Sequence, residues 1–248
     1  MKFNTIGEFY LWLKKHEKCI LDGGAQGSCY KIGNKVYKIF NQYIDEFDDY
    51  FIEYDKEDIL MFSSIVNNTY VFPKDIITIG DMVVGYITEY VKGNTLDKIN
   101  PLDVDLDVFS KKLKLVYPDI EIISDNSVCS YDVIYNIMYG EAGFRIIDTM
   151  EYSKSCADNR ELFDINKINF NIGIQLFLID GYFDEFINSS IFLSSMYNDH
   201  SVDINVFFKE FRNALSLKEG YNVSCLGEAR KCLSLKKKKD CKFIREIC

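Results

Sequence analysis

The chain is poor in the residues that mark several classes of protein. Three prolines in 248 residues, with no low-complexity stretch, leave no proline-rich linker. Two histidines, His16 and His200, and eight cysteines with no C-x-x-C pair give no zinc-type ligand set and no disulfide framework. Basic residues are outnumbered, 29 Lys and Arg against 38 Asp and Glu, and the net charge of −9 removes the electrostatic footprint expected of a DNA- or RNA-binding protein. Long apolar runs are missing as well. The most apolar stretch, IGIQLFLI at residues 172–179, is far too short to span a bilayer, and the first residues hold no apolar segment of signal-peptide length. These absences predict a reduced, soluble, cytoplasmic protein with neither nucleic acid nor membrane as partner.

What is present is an ordinary globular balance, 48% apolar and 27% charged, in a chain long enough for one substantial core or two small lobes. Aromatic residues reach 15%, mainly Phe and Tyr, a share that an AT-rich coding sequence explains as well as function does. The one basic run, Lys236 to Lys239, reads as the solvated face of a last helix, with a docking patch for an acidic partner as the alternative.

Periodicity divides the chain in two. TIGEFYLWLKKHE carries Ile6, Phe9, Tyr10 and Leu13 at helical spacing, with Thr5 as N-cap. KCILDGG and SCYKIGNKVYKIF read as three strands, the last two joined by a Gly33-Asn34 turn. Residues 44–65 read as an acidic helix, and TYVFPKDIITIG and DMVVGYITEYV as two further strands around Gly80-Asp81. Beyond residue 91 a helix is predicted over 96–115 and a short hairpin around Gly140–Gly143. From residue 160 all strong signals are helical: IGIQLFLIDGYFDEFI, DINVFFKEFRNALSL with Asp203 as cap, and GEARKCLSLKKKKDCKFIREI. The expectation is an α+β protein with a β-rich N-terminal lobe over residues 1–91, a five-stranded sheet with one main helix. A helical C-terminal lobe over 92–248 would carry a hairpin at about 131–150.

Chemistry concentrates first in LDGGAQGSCYKIGNKVYKIF, residues 21–40. The loop Gly24-Ala25-Gln26-Gly27 between two strands fits a flap whose backbone N–H groups approach a phosphate, since glycine puts no side chain in the way. Strand alternation sets Val36, Lys38 and Phe40 on one face and Tyr37 and Ile39 on the other. A lysine on a half-buried sheet face needs an anion or a carboxylate beside it. Glu57, with Tyr54, Leu60 and Met61 at helical spacing, is the carboxylate this pattern selects.

With ITEYVKGNTL, residues 87–96, the chain resembles the protein kinases, whose lobes are joined by a segment of the form E-Y-V-x-G-x-x-L after an apolar strand. The resemblance covers about residues 18–150. A Gly-rich loop, a strand lysine in VYKIF, a helix glutamate and this joining segment follow in the family's order. It implies a bilobal kinase-like fold that binds ATP and Mg²⁺. Gly24, Ala25, Gln26 and Gly27 would cover the phosphates, Lys38 would hold them and Glu57 would orient Lys38. Thr88 would stand as gatekeeper, with the backbone of Glu89 to Val91 on the adenine. In YNIMYGEAGFRIIDTMEY, Asn136 and Asp148 resemble the two Mg²⁺ ligands of the family.

Several positions depart from the family. Asp148-Thr149-Met150 stands where D-F-G is usual, and no A-P-E motif follows it. Asp22 replaces the first loop glycine. The stretch CSYDVIYN places Tyr131 five residues before Asn136, where the catalytic aspartate belongs, and Asp132 only four before. With Asp132 as the base within reach of the acceptor hydroxyl, the implied activity is ATP-dependent phosphoryl transfer of the Ser/Thr protein-kinase type. The acceptor would be a protein or a small molecule, and the acidic composition suits a cationic one. Without a base in reach, the chain would be a pseudokinase that holds nucleotide or acts as a scaffold. Nucleotidyl transfer from the same site is a third alternative.

Overall fold

The structure is a computed structural model and describes residues 1–23, 26–44, 52–131 and 133–234. It is a mixed α/β protein. The described residues fall into two units, one holding those of 1–66, 70–91 and 148–151, the other those of 67–69, 92–147 and from 152 onward.

The first unit is built on a six-stranded sheet. Its strands are β1 (Lys2–Phe3), β2 (Ile20–Gly23), β3 (Gly27–Ile32), β4 (Lys35–Phe40), β5 (Asp75–Ile79) and β6 (Met82–Glu89). Their order is β1-β5-β6-β4-β3-β2, and every pairing is antiparallel except β1 with β5. The strand beyond the expected five, β1, has two residues, too few to show alternation. The N-terminal ammonium fastens it by donating to the Ile76 carbonyl at 2.6 Å. Gly33 and Gly80 turn the two hairpins with φ of 61° and 60°, a region that costs other residues steric strain.

Helix α1 (Ile6–His16) starts where Thr5 Oγ1 accepts from the Glu8 N–H at 3.2 Å. It buries Phe9 with Phe3, Tyr30, Ile39, Ile77, Val84 and Ile87, and Trp12 packs beside them. A separate cluster joins Phe40, Ile59, Val83, Tyr86 and Met150, with Tyr54 stacked on Phe40 at 4.0 Å between ring centroids. Ile39 and Phe40, adjacent in sequence, thus enter different cores, as strand alternation requires.

The helix expected over 44–65 is much shorter among the described residues. A 3₁₀ turn at Asn41–Tyr43 precedes the part of that span, 45–51, that lies outside them. Then comes α2 (Lys56–Leu60), five residues long and capped by Asp55. Acidic side chains crowd this stretch, and only Ile59 of the five is buried, so little apolar surface is there to extend it.

In the second unit a sheet of β7 (Asn94–Thr95), β9 (Ile137–Gly140) and β10 (Gly143–Ile146) carries the expected hairpin. A two-stranded sheet pairs β8 (Val128–Cys129) with β11 (Ser153–Lys154). The helix expected over 96–115 is broken into 3₁₀ turns at Leu96–Lys98 and Pro101–Asp103 before α3 (Leu106–Leu113). Pro101 brings no N–H, and Asn100 and Asp105 cap a new start on either side of it. Then come α4 (Val116–Asp125), α5 (Val133–Asn136), α6 (Asn159–Ile179), α7 (Asp184–Asn188), α8 (Ile191–Asn198) and α9 (Ile204–Glu219). Asp203 caps α9 as expected, and Gly220, at φ 86°, ends it.

Phe109, Phe144, Phe170, Phe177 and Phe208 are buried in this unit and in ring contact, Phe109 touching three of the other four. Residues from 227 were expected to form a last helix. Those described hold a 3₁₀ turn at Leu226–Glu228 and then turns to 234, while Lys236–Lys239 lie outside the described residues. No helix among the described residues is long and apolar enough to cross a membrane.

Candidate functional site

The register of the first unit's sheet brings the site together. Lys38 on β4 stands opposite Cys29 on β3 and Tyr86 on β6. Residues directly opposite share a face, so Lys38 and Tyr86 emerge side by side. Lys38 is 6% exposed and Tyr86 3%. A buried ammonium without a carboxylate would cost several kcal/mol, and residues 110 positions away in sequence supply one: Lys38 Nζ lies 2.5 Å from Asp148 Oδ1.

Asp148 is held there by its neighbours. Thr149 is buried and donates its hydroxyl to the Val71 carbonyl at 2.8 Å, and Met150 enters the Phe40–Tyr86 cluster. Thr149 and Met150 therefore anchor the turn by one hydrogen bond and one buried thioether. Asp148 itself has φ of 58°, a conformation that aspartate tolerates better than most side chains.

Four further contacts complete the group. The Tyr86 hydroxyl donates to Asp148 Oδ1 at 2.8 Å. Gln26 accepts from Lys38 Nζ at 3.2 Å through Oε1 and donates to Glu151 Oε1 at 2.6 Å through Nε2. The Lys38 ammonium also sits 5.8 Å from the Tyr86 ring centroid, within cation–π range. Burial, and then the Asp148 charge beside it, push the Tyr86 phenol well above its ordinary range, so it is a proton donor at any physiological pH. Both donors converge on Oδ1 of Asp148, and Oδ2 has no partner among the described residues.

The other candidates stand as follows. Glu57 is exposed in the first turn of α2, its N–H donating to Asp55, and it is not among the partners of Lys38. The expected Lys38–Glu57 pair is therefore corrected to Lys38–Asp148. Glu57 lies two residues from the buried Ile59, about 200° around a helix, so it points away from the core that Ile59 enters. Gly24, Ala25 and Asp132 lie outside the described residues.

Gly27 is buried in the sheet, and a Cβ there would overlap the Ile39 carbonyl. Close strand approach by itself accounts for a glycine at that position. Thr88 is half-buried, with its hydroxyl on the Glu89 carbonyl at 3.0 Å. Glu89 is paired with Lys35, the Tyr90 N–H donates to the Asn34 carbonyl at 2.9 Å, and Val91 is half-buried. In the second unit Asn136 ends α5, and its backbone carbonyl accepts from the Ile147 N–H at 3.0 Å.

Sequence reasoning missed Tyr86, Glu151 and the anchoring by Thr149 and Met150. Tyr86 carried one legible signal: a phenol in the apolar run VVGYI is buried at its ring and needs a partner at its tip. The register that supplies the partner is non-local and was not readable.

Among the described residues no group of three or more His, Cys, Asp or Glu side chains is placed to hold a metal ion. The Asp148 carboxylate, one-third exposed and with one oxygen unpartnered among the described residues, fits Mg²⁺, which takes one or two carboxylates together with phosphate oxygens and water.

No protein-family model and no curated protein matches the chain. Among solved structures it is similar to the kinase PK-1 of Cydia pomonella granulovirus, at 11% identity and a TM-score of 0.41. The match covers 61% of this chain and 61% of that one. The likeness is a distant one, and the functional reading rests on the residues of the site.

Proposed function

We propose that the chain is an ATP-dependent, Mg²⁺-assisted phosphotransferase of the protein-kinase-like fold, acting as a Ser/Thr-type protein kinase. The observation that carries the reading is the buried Lys38 ammonium on the Asp148 carboxylate. A strand lysine and the aspartate after an apolar hairpin are the two charged groups a phosphate-handling site of this kind requires.

In this reading Lys38 exchanges part of its contact with Asp148 for the α- and β-phosphates of ATP. The flap Gly24-Ala25-Gln26-Gly27 covers those phosphates, and Thr88, Glu89 and Val91 line the adenine side. Asp148 would hold Mg²⁺, which supplies charge neutralisation on the phosphates when bound, and Asn136 is the second ligand that the family resemblance implies. Asp132 orients the acceptor hydroxyl and takes its proton as the oxygen attacks the γ-phosphorus, and ADP leaves. Gln26 and what remains of the Asp148 contact, rather than Glu57, support Lys38, so positioning and electrostatic stabilisation do the catalytic work. Tyr131, at the family's base position, favours a second reading in which the chain binds nucleotide without transferring phosphate.

The test is Mg²⁺-dependent ATP turnover, measured as phosphate release and as transfer of labelled γ-phosphate to a basic protein substrate. Slow turnover is expected in the wild type, reduced about 100-fold or more in Asp132→Ala, the scale of a lost general base. Nucleotide binding without turnover in the wild type selects the second reading.

A further inference from the structure

We propose that Tyr86 is a positioning residue that fixes which oxygen of Asp148 faces a bound metal. The inference rests on the phosphotransferase reading and concerns the same site, but it assigns a function to a side chain outside the kinase-like motifs of the sequence.

A carboxylate on a single rotatable stem can present either oxygen. Here two donors hold the same one: Lys38 Nζ at 2.5 Å and the Tyr86 hydroxyl at 2.8 Å both meet Oδ1. Oδ2 is left with no partner among the described residues, on a side chain that is one-third exposed. The two donors differ in kind. Lysine ends in a flexible four-carbon stem with a charge that also attracts phosphate, so in a nucleotide-loaded site its ammonium is shared.

Tyr86 has no such freedom. Its ring is buried in the cluster with Phe40 and Met150, at 6.1 Å from the Phe40 ring, and its backbone is paired on both sides, with Lys38 on β4 and Ile76 on β5. When Lys38 turns to the phosphates, Tyr86 is the donor that remains on Oδ1 and keeps Oδ2 directed outward. The phenol therefore matters most in the metal- and nucleotide-loaded state.

The test is calorimetric titration of ATP, with and without Mg²⁺, into the wild type, Tyr86→Phe, Asp148→Asn and the double variant. Tyr86→Phe keeps the ring and its packing and removes only the hydroxyl. It is expected to weaken MgATP binding about tenfold, the size of one hydrogen bond to a charged group. ATP affinity without Mg²⁺ should be unchanged. In the Asp148→Asn background the same substitution should have no further effect, because both act through one carboxylate.

Equal MgATP affinity for wild type and Tyr86→Phe overturns the positioning role and leaves the phosphotransferase reading standing. So does an equal loss with and without Mg²⁺, accompanied by a lower melting temperature, which is the mark of a merely structural hydroxyl. A wild type with no Mg²⁺-dependent ATP binding removes the phosphotransferase reading, and the positioning role with it.

Discussion

Lys38 and Asp148 are unequally buried, and the inequality decides which of them the fold tolerates losing. The lysine side chain is 8% exposed and the aspartate side chain 33%. Removing the aspartate leaves an ammonium inside a sheet face, with the Gln26 amide oxygen and the Tyr86 ring as its partners among the described residues. Removing the lysine leaves a carboxylate that water already reaches and that Tyr86 still serves. Asp148→Ala should therefore destabilise the protein by about 3 kcal/mol, whereas Lys38→Met, an apolar side chain of similar volume, should be close to neutral. Urea denaturation of both variants checks this, and the reverse order would contradict it. At this scale the sequence disclosed that Lys38 needs an anion but not which one. Glu57 was the local choice, four-residue periodicity being visible in a sequence. Asp148 is 110 residues away and reaches Lys38 through an anchored turn that only Thr149 and Met150 explain.

Among the elements, the site depends on how closely β4 approaches its neighbours. Gly85 lies on β6 opposite Ile39, and a Cβ there would overlap the Lys38 carbonyl oxygen. Because backbone cannot swing aside as a long side chain can, Gly85→Ala must separate β4 from β6 and displace Lys38 with it. A cost of about 3 kcal/mol is expected, in the range of severe overpacking. Gly33→Ala is the control. Its Cβ meets nothing within 4 Å, and only the positive φ of 61° opposes it, at about 1 kcal/mol. Thermal melts of the two variants should differ accordingly, and equal melting temperatures would refute the packing argument.

The hairpins β3–β4, β5–β6 and β9–β10 were legible because each is closed by a short turn between apolar runs. The capped helices α1 and α9 were legible through Thr5 and Asp203. Strand β1 and the β4–β6 pairing were not, since both join segments distant in the chain. The helix predicted over 96–115 failed at Pro101, a helix starter that the apolar periodicity concealed.

For the molecule as a whole, length allowed one substantial core or two small lobes and periodicity indicated an α+β protein; the described residues are mixed α/β and fall into two units. One feature of that division was not readable: the tetrapeptide 148–151 belongs with the N-terminal sheet although the residues before and after it do not. That excursion brings a carboxylate to the buried lysine, and in the first unit the charged groups Lys38, Asp148 and Glu151 are joined by Gln26 and Tyr86.

The measurement that tests this account most directly is calorimetric titration of ATP into the wild type and Asp148→Ala, each with and without Mg²⁺. Binding that strengthens with Mg²⁺ in the wild type and loses that strengthening in Asp148→Ala is the predicted result. ATP binding that ignores both Mg²⁺ and Asp148, or no binding at all, would contradict the assignment of the Lys38–Asp148 pair to a nucleotide site and leave it a structural ion pair.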